Sequence, residues 1–289
     1  MLERLKTAIP LIILFALCFV LPGAYGLGYF SLFAALALIL ANHEIYAMLQ
    51  LPRPFEIGAD ISALISVASC LAWSKHELLP VLCLVHLLIS VVILFYMELT
   101  KENLQSMFLS LGVFLYLNCT MLYAQRLYCL GEGGRFMLLA LIIMTKMGDV
   151  GAYVCGTLTH RMMKNGNHKL APVISPKKSW EGLAGGILFS VATALVIFHW
   201  FPKMLMLVQI KLAGPLFNAW EMLAWGVVVA VIGLVGDLAE SAVKRVANVK
   251  DSGHLPGIGG VLDVLDSLIL VVPLFYFHVA YKLVKWLLV

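Results

Sequence analysis

Trp225-Gly-Val-Val-Val-Ala-Val-Ile-Gly-Leu-Val-Gly236 is almost wholly apolar, and it runs straight into Asp237-Leu-Ala-Glu240-Ser241-Ala-Val-Lys244-Arg245. The two parts read as one helix, an apolar shaft followed by a polar stripe. Asp237, Glu240, Ser241, Lys244 and Arg245 fall at 0, +3, +4, +7 and +8, so the helical period puts all five on one face. Such a shaft belongs in lipid, where ionisable residues are costly and face a cavity or a partner. Read outward from this stretch, the chain is a helical integral membrane protein.

The composition agrees. Of 289 residues, 62% are hydrophobic and 12% are charged, and the mean hydropathy is +0.97. A water-soluble globule of this size has no interior large enough for so much apolar surface. A soluble enzyme, a disordered chain and a secreted disulfide scaffold are excluded, and the alternating strands of an outer-membrane barrel are absent. About nine apolar runs of roughly 20 residues follow one another, near 7–22, 27–49, 58–73, 77–97, 105–124, 134–156, 179–201, 221–246 and 262–288. The expected fold is all-α and polytopic. About five helices make an N-terminal region, 1–130, and about four make a C-terminal region, 131–289, with loops at 157–179 and 247–262. The charged start, Met1 to Lys6, leads into a first helix or uncleaved anchor, because further spans follow at once.

Cys18, Cys70, Cys83, Cys119, Cys129 and Cys155 show no CxxC or Cys/His spacing and read as small buried hydrophobes. The net charge of +4 is dispersed and offers no nucleic-acid surface. With nine spans, both loops lie on one side. That side receives Arg4, Lys6, Arg53, Lys101, Arg161, Lys164, Lys169, Lys177, Lys178, Lys244, Arg245 and Lys250, twelve of the 20 Lys and Arg residues. The other side receives seven: Lys75, Arg126, Arg135, Lys203, Lys211, Lys282 and Lys285. The positive-inside rule puts the N-terminus and both loops in the cytoplasm.

Chemistry-bearing residues crowd into the second half. Lys250-Asp251-Ser252-Gly253-His254-Leu255-Pro256-Gly257-Ile258-Gly259-Gly260 precedes a helix whose first turn carries Asp263 and Asp266 on one face. Glycines let a backbone approach a ligand and aim its N–H groups at oxyanions. Together with Asp237, these acids are hard oxygen donors beside a phosphate cradle, which describes a magnesium site. The same acids would also serve as helix caps, and the stripe from Asp237 to Arg245 as a self-neutralising rim. A third element is Asp149-Val-Gly151-Ala152-Tyr153, and a fourth is Ser175-Pro176-Lys177-Lys178-Ser179-Trp180-Glu181-Gly182. Its lysines suit either polyphosphate or membrane anchoring, and Trp180 either a ligand or an interfacial belt.

These residues carry a resemblance. Ser241-x-x-Lys244-Arg245-x4-Lys250-Asp251 followed by Pro256-Gly257-x-Gly259-Gly260-x-x-Asp263-x-x-Asp266 resembles the C-terminal signature of the phosphatidate cytidylyltransferases, the CDP-diacylglycerol synthases. The elements at Asp149–Gly156 and Ser175–Gly182 resemble two further motifs of that family, in the family's order. Motif matches cover roughly 145–270, and the first 130 residues match in hydropathy alone. Ile258 and Val264 stand where the family usually has His and Arg. The resemblance implies transfer of CMP from CTP to phosphatidate at the cytoplasmic membrane, with the active site facing the cytoplasm. It implies magnesium on Asp237, Asp263 and Asp266, with a second cation left open. Lys244, Arg245, Lys250 and Asp251 complete the implied catalytic set. Asp149, Tyr153, Ser175, Lys177, Lys178, Ser179, Trp180, Glu181, Ser241, Gly257, Gly259 and Gly260 are implied in substrate binding. CTP, phosphatidate and membrane lipids are the implied partners, without nucleic acid, and a homodimer is left open. Two rivals stand beside this reading. One is a CTP-dependent membrane enzyme acting on another lipid. The other is a secondary transporter using Lys146, Asp149, Asp237 and Glu240 as an ion relay, for which no repeated halves are evident.

Overall fold

Apolar runs with no water to satisfy their backbone fold into helices, because each helix satisfies its own N–H and C=O groups. The computed structural model describes residues 10, 13–72, 78–163, 166–202, 216–253 and 259–287. A helix over 13–20, α1, is followed by α2 (Gly23–Met48), α3 (Arg53–Ala72), α4 (Leu79–Tyr96), α5 (Lys101–Cys129) and α6 (Glu132–Met162). After a short antiparallel hairpin, β1 (Lys169–Ala171) and β2 (Ser175–Ser179), come α7 (Trp180–Trp200), α8 (Ala219–Val246), α9 (Val261–Leu265) and α10 (Leu268–Leu287). Among the described residues, eight helices are long and apolar enough to cross a membrane: α2 to α8 and α10. The expected run at 7–22 lies partly outside the described residues, and its described part is α1. The expected run at 262–288 is broken, because α9 ends at Leu265 and α10 begins at Leu268. Nor is the expected loop at 157–179 all loop: α6 continues to Met162, and the hairpin fills much of the remainder.

Local chemistry sets the helix starts. Ser179 caps α7 by accepting from Gly182 N at 3.1 Å. Asn218 and Glu221 form a reciprocal box at the start of α8: Glu221 N donates to Asn218 Oδ1 and Asn218 N to Glu221 Oε2, both at 2.9 Å. Gly131, at φ +83°, turns the chain from α5 into α6 in a conformation side chains rarely adopt.

The described chain forms two compact units. The first comprises residues up to Cys129 together with Val246–Leu265, and so contains α1 to α5 and α9. Its interior holds a polar chain across four helices. Tyr46 Oη lies 2.6 Å from Ser110 Oγ, which lies 3.1 Å from His86 Nε2, and His86 Nδ1 lies 2.9 Å from Ser62 Oγ. Between membrane helices such bonds act as specific glue, since a lone polar group there would lack water. The second unit comprises Leu130–Arg245 and Asp266–Val289, and so contains α6, the hairpin, α7, α8 and α10. Here α6 and α7 cross through glycine. A side chain at Gly151 would meet the Gly185 carbonyl and Phe189, and one at Gly185 would meet Cys155 and the Gly151 carbonyl. Small residues let the two backbones touch. On α8, a side chain at Gly226 would meet the Val191 backbone, and one at Gly236 the Asp266 carbonyl. Gly236 thus admits the break before α10 against the polar end of α8.

Candidate active site

In the second unit the polar end of α8 meets the hairpin and the break before α10. Asp237 and Glu240 lie one helical turn apart, and Asp266 reaches them from the break before α10. Each of the three offers a carboxylate oxygen, and these oxygens all lie within 4.8 Å of one another. Three lysines surround the acids. Lys178, the penultimate residue of β2, places Nζ 2.7 Å from Asp237 Oδ2. Lys244 places Nζ 2.6 Å from Oε2 of Glu240, whose side chain is fully buried. Lys146 on α6 donates to Asp149 Oδ2 at 3.1 Å and to Ser267 Oγ at 2.9 Å, and Ser267 Oγ lies 3.2 Å from that same Asp149 oxygen. Ser241 Oγ lies 3.4 Å from Asp237 Oδ1.

The electrostatics follow from this crowding. Burial pushes the Asp266 carboxyl up to about 7, and the nearby Asp237 and Asp149 charges push the same way, while Lys146 pulls it down. Clustered carboxylates of one sign are held at a cost unless a cation or a proton offsets them. An all-oxygen donor set of this kind fits a hard divalent cation.

The hairpin is held by the same helix. Arg245 Nε donates to the Ile174 carbonyl at 3.1 Å, so α8 grips the hairpin at its turn through Arg245 and at its end through Lys178. Glu181 accepts from His168 N at 3.1 Å and lies 2.6 Å from His168 Nδ1. Asn167 Nδ2 donates to the Gly156 carbonyl at 2.7 Å and to Ser179 Oγ at 3.2 Å. Ser179 and Glu181 therefore spend their side chains on fixing the junction of hairpin and α7. Lys177, Tyr153 and Trp180 are exposed, and Ser175 is half-buried.

The rest of the predicted set belongs to the first unit. Lys250 and Asp251 are exposed. Gly257 and Ile258 lie outside the described residues, and Val264 is exposed. The N–H groups around Gly260 point at carboxylates of the protein itself. Asp263 Oδ2 accepts from Gly260 N at 2.7 Å and from Ser252 N at 3.0 Å, with Ser252 Oγ also at 3.0 Å. Glu44 on α2 accepts from Val261 N at 2.8 Å through Oε1 and from Leu262 N at 2.9 Å through Oε2. A side chain at Gly259 would meet the Asp263 carboxylate, and one at Gly260 would meet Ser252 and Glu44. The glycines make room for these internal carboxylates.

In the sequence Glu240 stands out as part of the polar stripe and of the ion-relay alternative, outside the implied metal set, and Ser267 and Glu44 are not singled out. An ionisable residue inside an apolar run was the available signal for Glu44.

The cytidylyltransferase family model matches residues 2–282. A protein of Staphylococcus epidermidis named phosphatidate cytidylyltransferase is 36% identical over 276 residues, covering 94% of this chain and 96% of that protein. The protein of the same name from Staphylococcus haemolyticus is 33% identical over 277 residues, with the same shares covered. That of Haemophilus influenzae is 40% identical over 147 residues, covering 50% of this chain and 46% of its own length. The match thus spans the N-terminal helices as well as the polar cluster, and the chain belongs to the cytidylyltransferase family of membrane-embedded nucleotidyltransferases.

Proposed function

We propose that the enzyme transfers the cytidylyl group of CTP to phosphatidate, giving CDP-diacylglycerol and pyrophosphate. The observation that carries this reading is the cluster of three carboxylates and their lysines at the polar end of α8, in a chain similar over 94% of its length to phosphatidate cytidylyltransferases. In the reaction a lipid phosphate oxygen attacks the α-phosphorus of CTP, and the bond from that phosphorus to the β-phosphate bridging oxygen breaks. The nucleophile is ionised near neutral pH, so no strong base is required. The obstacle is repulsion between two polyanions, and catalysis is mainly positioning and charge neutralisation.

Asp237, Glu240 and Asp266 would hold magnesium, which supplies charge neutralisation at phosphate oxygens. Lys178 and the exposed Lys177 on the hairpin suit the triphosphate as point charges. Lys244 pairs with the buried Glu240 carboxylate. Lys146, bound to both Asp149 and Ser267, orders the third side of the cluster. Arg245 acts through the hairpin by holding the Ile174 carbonyl. Lys250 and Asp251 of the glycine-rich loop, catalytic by the family resemblance, are assigned to the same reaction. Phosphatidate stays in its leaflet and CTP is cytoplasmic, so the site opens to the cytoplasmic face of the cytoplasmic membrane.

The test uses detergent-purified protein, magnesium and phosphatidate, with each labelled nucleotide supplied in turn. Label should enter lipid from CTP alone, with stoichiometric pyrophosphate, and Asp237→Asn should lower the rate by about a hundredfold or more. Turnover with another lipid but none with phosphatidate would move the assignment to a sister enzyme, and an active Asp237→Asn would remove this residue from the metal set.

A further inference from the structure

We propose that Glu44 is a positioning residue for the glycine-rich loop, resting on the reading of that loop as part of the cytidylyltransferase site. Glu44 lies on α2, 217 residues before Val261 in the chain. Its carboxylate is nevertheless the partner of the first N–H groups of α9. Oε1 accepts from Val261 N at 2.8 Å, and Oε2 accepts from Leu262 N at 2.9 Å and lies 2.9 Å from Ser252 Oγ. The opening N–H groups of a helix have no partner within it. Here Asp263 takes Gly260 N, Glu44 takes the next two, and Ser252 Oγ stands between the two carboxylates.

Two consequences follow. Ser252 and Gly260 to Leu262 are held by the two carboxylates, so the exposed Lys250 and Asp251 beside Ser252 project from a fixed base. The amides of Ser252, Gly260, Val261 and Leu262 are also already engaged, which leaves substrate phosphate to the lysines. Glu44 thus acts on the reaction through the loop, without touching substrate.

The test compares parent, Glu44→Gln and Glu44→Ala in detergent, by amide hydrogen exchange at Val261 and Leu262 and by steady-state kinetics. In Glu44→Ala these amides should exchange at least about tenfold faster, while kcat falls about 10–100-fold and KM for CTP moves less than about threefold. Glu44→Gln retains one acceptor oxygen and should fall between the two. Ser252→Ala removes only the hydroxyl and gives the same signs more weakly, which keeps the test open if Glu44→Ala fails to fold. Unchanged exchange at Val261 and Leu262 would overturn the proposal, as would faster exchange with parental kcat. A folded parent without CTP turnover would instead sink the functional reading, and the exchange measurement would still decide whether Glu44 holds the loop.

Discussion

At the scale of single residues, the acids of the second unit solve the same problem in different ways. Glu240 has no exposed side-chain surface and sits 2.6 Å from Lys244. A buried carboxylate is tolerable with such a partner, and removing the partner of a buried pair costs about 3–5 kcal/mol. Asp237 is one-third exposed and takes Lys178 from the hairpin. Asp266 is the member whose charge is least offset. Its carboxyl is pushed up to about 7 by burial first and by Asp237 next, so it holds a proton until near neutrality when no cation is present. A divalent cation binds the ionised form and must displace that proton. Since the folded pKa is raised, the competition is strong below about 7 and vanishes above it. Magnesium affinity, measured by calorimetric titration of the purified protein, should be about tenfold weaker at pH 6 than at pH 8. Asp266→Asn should bind more weakly and lose most of that slope, whereas a flat affinity in the parent would show that Asp266 does not ligate the ion.

At the scale of elements, the crossing of α6 and α7 places Asp149 and the hairpin in the same unit, and it depends on backbone touching backbone. A side chain at Gly185 would meet the Cys155 side chain and the Gly151 carbonyl, neither of which can move without shifting a helix. Gly185→Val should therefore lower stability by several kcal/mol, by analogy with overpacking in a tight interior. The check is unfolding in mixed micelles, with Gly112→Val as control, because nothing lies within 4 Å of a side chain there. A Gly185→Val protein as stable as the control would mean the helices can separate freely. The helices themselves were legible in the sequence because lipid demands long apolar runs. Their ends were less so: hydropathy marks where lipid stops, while α6 goes on hydrogen bonding to Met162. The hairpin was not legible, since Ser175-Pro-Lys-Lys-Ser179 has no apolar alternation to mark a strand. In the site, the face shared by Asp237, Glu240 and Lys244 followed from helical spacing alone. Glu44 did not, because the amides of Val261 and Leu262 that it holds have no signature in side-chain identity.

At the scale of the whole molecule, what remains is which way the chain faces. The charge count expects twelve bases on one side against seven on the other. Lys282, among the seven, is bonded to Glu221 at 2.5 Å and to the Leu216 carbonyl at 2.7 Å, and so contributes no net charge as a pair. Arg126 and Arg135 are buried, with 4% and 7% of their surface exposed. Among the twelve expected on the cytoplasmic side, Lys177 and Lys250 are exposed. The positive-inside rule acts on bases near helix ends in short loops, and the hairpin lysines satisfy that condition. The hairpin should therefore lie in the cytoplasm, where CTP is found. A Lys177→Cys variant should react with a membrane-impermeant maleimide in inverted vesicles and stay unlabelled in sealed right-side-out spheroplasts. The parent sets the background, since its five described cysteines are buried or half-buried. Labelling from the outer face instead would place the lysines away from their nucleotide, and the proposed reaction could not then proceed with cytoplasmic CTP.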